Sequence, residues 1–198
     1  HARALVLSWI KHFETYKPHV WDAPILARRL INWTRQSRFL MTAHEGDFNY
    51  KFLRSLREQY RHLRRYHRFV VRTDNTVDLT LALYLCALCF PDTGSQRKKY
   101  QALLLAQIDH TILADGCHLS RSPAKHMSLL ADLIGLKQTL LNLQEEIPSL
   151  LIRGIDRLAP VVRFFQHGDG SLALFNGSIL ASEGTVDHLL AIADAPGR

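Results

Sequence analysis

The chain has 198 residues, 47% of them hydrophobic and 22% charged, a balance that excludes a disordered segment and suits one domain with a sizeable core. Its formal net charge is +7 and its pI is near 9.6, so its surface attracts polyanions, whether nucleic acid, anionic lipid or acidic polysaccharide. The longest apolar run, LTLALYLCALCF over 79–90, falls short of the roughly 20 residues a membrane-spanning helix needs and reads as a buried core helix.

Helical periodicity runs through most of the chain. Residues 2–16 place Leu5, Trp9, Phe13 and Tyr16 near one face, and Pro18 closes that helix. Asp22 as a cap and Pro24 in the first turn predict a second helix over 24–42. Its apolar stripe is Ile25, Leu26, Leu30, Ile31, Trp33, Phe39 and Leu40, with Arg28, Arg29, Arg35 and Arg38 left for solvent. Gly46-Asp47 opens a third helix that runs to residue 70, striped by Phe48, Phe52, Leu53, Leu56, Tyr60, Leu63 and Tyr66. Its other faces carry Arg54, Arg57, Arg61, Arg64, Arg65 and Arg68, the densest basic feature of the sequence. That run reads either as a solvated helix face or as a surface for a polyanion.

Asp74-Asn75-Thr76 offers a cap to a fourth helix over 75–90, and the loop PDTGS leads to a fifth over 95–113. Ser122 before Pro123 reads as cap and first residue of a sixth, 123–143, and Pro148 begins a seventh that ends near Phe165. The stretch FFQHGDGSLALFNGSI then alternates in a strand-like way, with turns at Gly168-Asp169-Gly170 and Asn176-Gly177. The final 15 residues, ending ADAPGR, are expected to be weakly ordered or truncated. No short repeat period stands out. Short loops between helices suit antiparallel helical pairs, in a bundle or a toroid. The fold class expected is mainly all-α with a short strand-like C-terminal segment. The chain begins at His1 rather than Met, so it reads as a fragment or a processed form, and the compartment stays open.

The stretch ADGCHLSRSPAKHM, 114–127, carries the most chemistry. A turn at Asp115-Gly116 and a helix restart at Ser122-Pro123 bring His118, Arg121, Lys125 and His126 toward one mouth. Histidine serves as a base near neutral pH, and arginine clamps a carboxylate. The alternative is a cap and turn dressed with surface polar residues. Cys117, His118 and His126 also include metal-ligand types, yet a structural zinc site takes four ligands, and the fourth would have to come from a distance, for example His110. No metal and no cofactor is expected. Cys86 and Cys89 lie in the apolar run and read as small buried hydrophobes rather than a redox pair. There is no G-x-S-x-G elbow, no H-E-x-x-H, no zinc-finger spacing and no nucleic-acid recognition motif.

DGCHLSRSP followed by KH, then IDRLAPVVRFFQHGDGSLALFNG, resembles the bacterial heparinase II/III-like family, and WDAPILARRLINW and FLRSLREQYRHLRRYHRF resemble its helical region. The resemblance runs through nearly all of the chain. It implies an incomplete α/α toroid of helical hairpins over 1–166, with 167–198 starting the lead into a β-sandwich that lies outside the sequence. It further implies a lyase acting by β-elimination on a uronic-acid-containing polysaccharide. Such a lyase neutralises the uronate carboxylate, removes the C5 proton with a base and protonates the leaving oxygen. The carried-over candidates are His118, Lys125, His126 and, as neutralising group, Asn75 for catalysis, and Arg121, Arg57, Arg61, Arg64 and His167 for substrate binding. Active relatives read DG-x-x-x-E-x-S-x-x-YH here. This chain keeps Asp115, Gly116, Ser122 and His126 but has Ser120 for the Glu and Lys125 for the catalytic Tyr. A binder of acidic polysaccharide that has lost catalysis is therefore the second reading, and nucleic-acid binding through the basic helix 47–70 the third. The partners implied are an acidic polysaccharide and the protein's own sandwich domain. The compartment implied is the periplasm or cell envelope, with the cytoplasm open.

Overall fold

The computed structural model describes residues 1–41, 46–68, 76–179, 182 and 184–194. Among these the regular structure is helical, relieved by two isolated β-bridges. The chain divides into two compact units, His1–Leu104 and Leu105–Arg198.

The first unit contains α1 (Ala2–Phe13), α2 (Ala23–Arg35), α3 (Ser37–Leu40), α4 (Gly46–His67), α5 (Thr76–Cys89), a 3-10 turn (Pro91–Thr93) and the start of α6 (Gly94–Thr111). α5 is the apolar run, and its residues are buried on every face from Leu79 to Ala87, as befits a central helix. α2 and α4 pack against it and against each other. The α2–α4 pair is antiparallel. Arg29 Nε donates to Gln59 Oε1 at 2.6 Å, and one turn further along α2 the Trp33 ring meets Phe52, seven positions earlier in α4, at 5.5 Å. Arg28 ties α2 to α5 through Asp78 at 2.8 Å.

Several sequence expectations need correction here. The second predicted helix breaks at Gln36, whose φ of −92° and ψ of 3° leave the helical region. Hydroxyl–backbone bonds cluster at the break. Thr34 Oγ1 donates to Leu30 O at 2.7 Å, and Ser37 Oγ donates to Thr34 O at 2.8 Å, so side chains bond to the backbone where the ladder should continue. Leu5 at 59% and Phe39 at 70% exposure leave the stripes assigned to them, and Ile25, Leu53 and Tyr66 are also exposed. Arg29 is not at the surface. Its guanidinium lies 4.2 Å from the Trp9 ring centroid, bonds to Val20 O at 3.0 Å, and burial lowers its pKa to about 10. Cys86 is buried and Cys89 exposed, so only the first fits the buried-hydrophobe reading.

The second unit holds the end of α6, α7 (Pro123–Asn142), α8 (Ser149–Phe165) and α9 (Thr185–Asp194). α7 and α8 form an antiparallel hairpin. His126 near the start of α7 reaches Leu158 O late in α8 at 2.9 Å, while Leu133, further along α7, comes within 3.2 Å of where a Cβ on Gly154 would stand. Ile108 of α6 crowds that same point at 3.2 Å, so Gly154 lets three helices approach. The strand-like stretch does not form strands among its described residues. It contains one bridge, between Gln166 and Leu172. Of the final 15 residues expected to be weakly ordered, 185–194 form α9, which packs on α7 and α8 through Val186, Leu189 and Leu190, an i, i+3, i+4 set, while 195–198 lie outside the described residues. No helix of the described residues is long and apolar enough to cross a membrane.

Candidate functional site

The two stretches singled out in the sequence meet in the second unit. α6 ends at Thr111, and the chain reverses through a hairpin. Leu119 N donates to Thr111 O at 2.8 Å and Leu113 N to Cys117 O at 2.8 Å, Ile112 and His118 form a bridge, and Asp115 Oδ1 accepts from Cys117 N at 3.0 Å. The same bonds recur after α8. Ala173 N donates to Phe165 O at 2.9 Å and His167 N to Ser171 O at 2.8 Å, Gln166 and Leu172 form the bridge, and Asp169 Oδ1 accepts from Ser171 N at 2.9 Å. Asp115-Gly116 and Asp169-Gly170 hold equivalent places, with φ of 82° and 83° at the glycines. A helix followed by an Asp-Gly hairpin is therefore used twice, a repeat that the sequence reading did not find.

The second hairpin leads on to cap the helix that follows the first. Ser122 makes no side-chain cap bond at the start of α7. Instead Ser178 Oγ accepts from Ala124 N at 3.0 Å and lies 3.2 Å from Ser122 Oγ, while Asn176 Nδ2 donates to Arg121 O at 3.0 Å. The segment FNGS thus supplies from a distance the acceptor that a helix N-terminus needs. Arg121 itself sits at φ 54°, a left-handed conformation uncommon for a side chain of this size. Its exposed guanidinium pairs with Asp115. The Asp115 carboxylate is held below its ordinary pKa, first by the Cys117 N–H and then by Arg121.

His126 is 0% exposed. The backbone N–H of His118 donates to its Nδ1 at 3.1 Å, so in the neutral ring Nε2 carries the proton and donates to Leu158 O at 2.9 Å. The ring also meets Phe165 edge-on at 5.8 Å. His126 thereby staples the hairpin loop, α7 and α8 together. His118 is buried as well, and its Nδ1 accepts from Ser120 N at 3.0 Å with Ser120 Oγ at 2.8 Å. Ser120 is thus occupied in orienting His118. Lys125 is exposed in the first turn of α7, and His167 is exposed at the entry to the second hairpin. Asn75 lies outside the described residues. Arg57, Arg61 and Arg64 belong to α4 in the first unit, where Arg61 pairs with Glu58 at 3.0 Å and Arg57 lies 5.0 Å from the Phe90 ring centroid. Among the described residues no three His, Cys, Asp or Glu side chains converge as a metal site would require.

Burial lowers the pKa of His126, and it lowers those of His62 and His67 with help from Arg65 and Lys99 respectively. Each folded value lies below the unfolded value of about 6.5, so the unfolded chain binds more protons. This contribution to stability is complete above about 6.5 and is lost as pH falls through the folded values. Denaturant midpoints measured across this range should fall continuously on acidification below neutrality.

No protein-family model matches the chain. It is 29% identical over 199 aligned positions to FtsZ-localized protein C of Caulobacter vibrioides (strain NA1000 / CB15N), a match that takes in 100% of this chain and 34% of that protein. The chain thus spans about a third of the length of the curated relative it matches. Among solved structures it is similar to a mutant of heparan sulfate lyase HepC from Pedobacter heparinus, with a TM-score of 0.61 and 12% identity over 97% of this chain and 34% of the lyase. That likeness is one of helical fold.

Proposed function

We propose that this chain is the helical part of a bacterial protein that binds an acidic polysaccharide on a lyase-type scaffold without cleaving it, and that, like its relative, is localised with FtsZ. The observation that carries the reading is the state of the histidines. A β-elimination base needs a lone pair within reach of the C5 proton. The one lone pair of neutral His126 already accepts the His118 backbone N–H, its remaining N–H is held by Leu158 O, and the ring is buried. Lys125, in the place of the expected Tyr, presents an exposed ammonium, which attracts an anion and offers no phenol to the leaving oxygen. The net charge of +7 favours an anionic partner.

The test is incubation of the full-length protein with heparin, chondroitin sulfate and alginate, following both binding and absorbance of the unsaturated uronate product. Binding that weakens with added salt, and no product, is expected. Product formation at an enzymatic rate would assign the chain to the active lyases.

A further inference from the structure

In the first unit a recess of about 460 Å³ opens between the α1–α2 connection and one face of α4. Glu14 and Trp21 line it from the connection, and Arg54, Glu58, Arg61 and Arg65 line it from α4 together with His62. Glu58, Arg61, His62 and Arg65 fall at i, i+3, i+4 and i+7 and so share a helix face. Arg54 pairs with Glu14 at 3.6 Å and Arg61 with Glu58 at 3.0 Å, whereas Arg65 pairs with no carboxylate among the described residues. Three guanidiniums against two carboxylates leave one positive charge over. Exposed pairs of this kind add little to stability, so the fold gains little from this set. Beside the charges stands an aromatic face. Tyr16 is 58% exposed, yet its ring is braced from behind. It packs on His62 at 5.4 Å and 33°, His62 meets Trp21 edge-on at 5.1 Å, and Trp21 Nε1 donates to Phe13 O at 3.0 Å. Arg29 fixes the same connection through Val20 O. The exposed ring is thus held in place before any ligand arrives, which lowers the entropy cost of binding. Burial and then Arg65 lower the pKa of His62, so the ring behind Tyr16 is uncharged at neutral pH.

We propose that this recess is a subsite for one uronate residue of the acidic polysaccharide, with the sugar ring laid on Tyr16, its carboxylate on Arg65 and its hydroxyls between Glu58 and Arg61. The inference rests on the polysaccharide reading and gives it a place. A pyranose presents an apolar C–H face to an aromatic ring. Its hydroxyls both donate and accept, so a carboxylate beside a guanidinium suits them, while the two glutamates disfavour a densely anionic group. The single positive charge in excess matches the single carboxylate of a uronate, which a guanidinium binds in bidentate fashion.

The experiment measures binding to the full chain at fixed ionic strength with three probes. They are an alginate oligosaccharide, the same oligosaccharide with its carboxylates methyl-esterified, and polyphosphate as a polyanion without rings. The variants are Tyr16→Phe, Tyr16→Ala and Arg65→Gln. Tyr16→Phe keeps the ring and should keep the wild-type affinity. Tyr16→Ala should weaken both oligosaccharides about five-fold, the scale of one aromatic contact, and leave polyphosphate unchanged. Arg65→Gln should weaken the alginate oligosaccharide about ten-fold, the scale of one charge-assisted hydrogen bond, and leave the ester unchanged. It should also melt at the wild-type temperature, because the Arg65 side chain is exposed. A lower melting temperature would show that the guanidinium serves the fold and would overturn its assignment. An equal loss in Tyr16→Phe and Tyr16→Ala, or an equal loss of polyphosphate and oligosaccharide in Tyr16→Ala, would overturn the stacking. Alginate binding untouched by Tyr16→Ala and Arg65→Gln would overturn the subsite and leave the polysaccharide reading standing. A wild type that binds neither alginate nor any other acidic saccharide would overturn both.

Discussion

Gly116→Ala should destabilise the protein by about 2–4 kcal/mol, whereas Gly170→Ala, at the equivalent place in the second hairpin, should cost about 1 kcal/mol. Both glycines sit at left-handed φ, 82° and 83°, so a side chain at either meets the same local penalty of about 1–2 kcal/mol. Their surroundings differ. A Cβ on Gly116 would stand 2.7 Å from the Arg157 backbone oxygen and 3.2 Å from Val161 Cγ2. The contacted atom is helix backbone that cannot swing aside, so α8 or the hairpin must move. Arg157 also clamps this hairpin by donating to Leu113 O at 2.6 Å and Ile112 O at 3.2 Å, and movement weakens both bonds. A Cβ on Gly170 would find only Asp187 Oδ2, at 3.7 Å, in ordinary contact. Urea denaturation of the two variants side by side measures the difference. Equal losses would mean that the turn conformation alone sets the cost and that the packing of the first hairpin on α8 contributes nothing.

His126→Leu should cost about 3 kcal/mol, because it strands two backbone groups rather than one. The His118 N–H loses the Nδ1 acceptor and Leu158 O loses the Nε2 donor, in a place where burial admits no water to replace them. His126→Gln offers one acceptor and one donor on a longer stem and should recover part of the loss. The leucine variant should also show a shallower fall in stability on acidification below neutral pH, since one of the three histidines whose pKa burial lowers is gone. An unchanged pH profile together with a small loss of stability would show that the ring carries no such task.

Much of the helical architecture was legible because periodicity, prolines and turn residues act locally. Pro123 and the apolar set of α7 mark that helix, and Phe48, Phe52, Leu56, Tyr60 and Leu63, at steps of four and then three, mark α4. What escaped depends on partners far away in sequence. Ser122 looks like a self-sufficient cap, but the cap comes from Ser178. Arg29 reads from the sequence as a solvent-facing residue, yet Trp9, Val20 and Gln59 close over it from other elements. The paired hairpins share little beyond Asp-Gly and a flanking hydrophobe, too little for a repeat to stand out, although their backbone bonds coincide. α9 was hidden by the turn-rich stretch before it, which drew attention to strands. His126 left a signal that could have been used: with Leu129, Leu130 and Leu133 it falls at i, i+3, i+4 and i+7, the spacing of a buried face. The chemical appearance of ADGCHLSRSPAKHM thus came from residues of which the structure engages His118, Ser120 and His126 in holding the loop together. Lys125 and the Asp115–Arg121 pair are what it turns to solvent.

The central claim is that an acidic polysaccharide is held and left intact. The most direct test incubates the full-length protein with heparin at low salt, separates the protein-bound fraction, releases it with high salt and measures its chain length and unsaturated ends. Retained polysaccharide of unchanged length without unsaturated ends is the predicted result. Shortened chains with unsaturated ends, or no retention at low salt, would contradict the account.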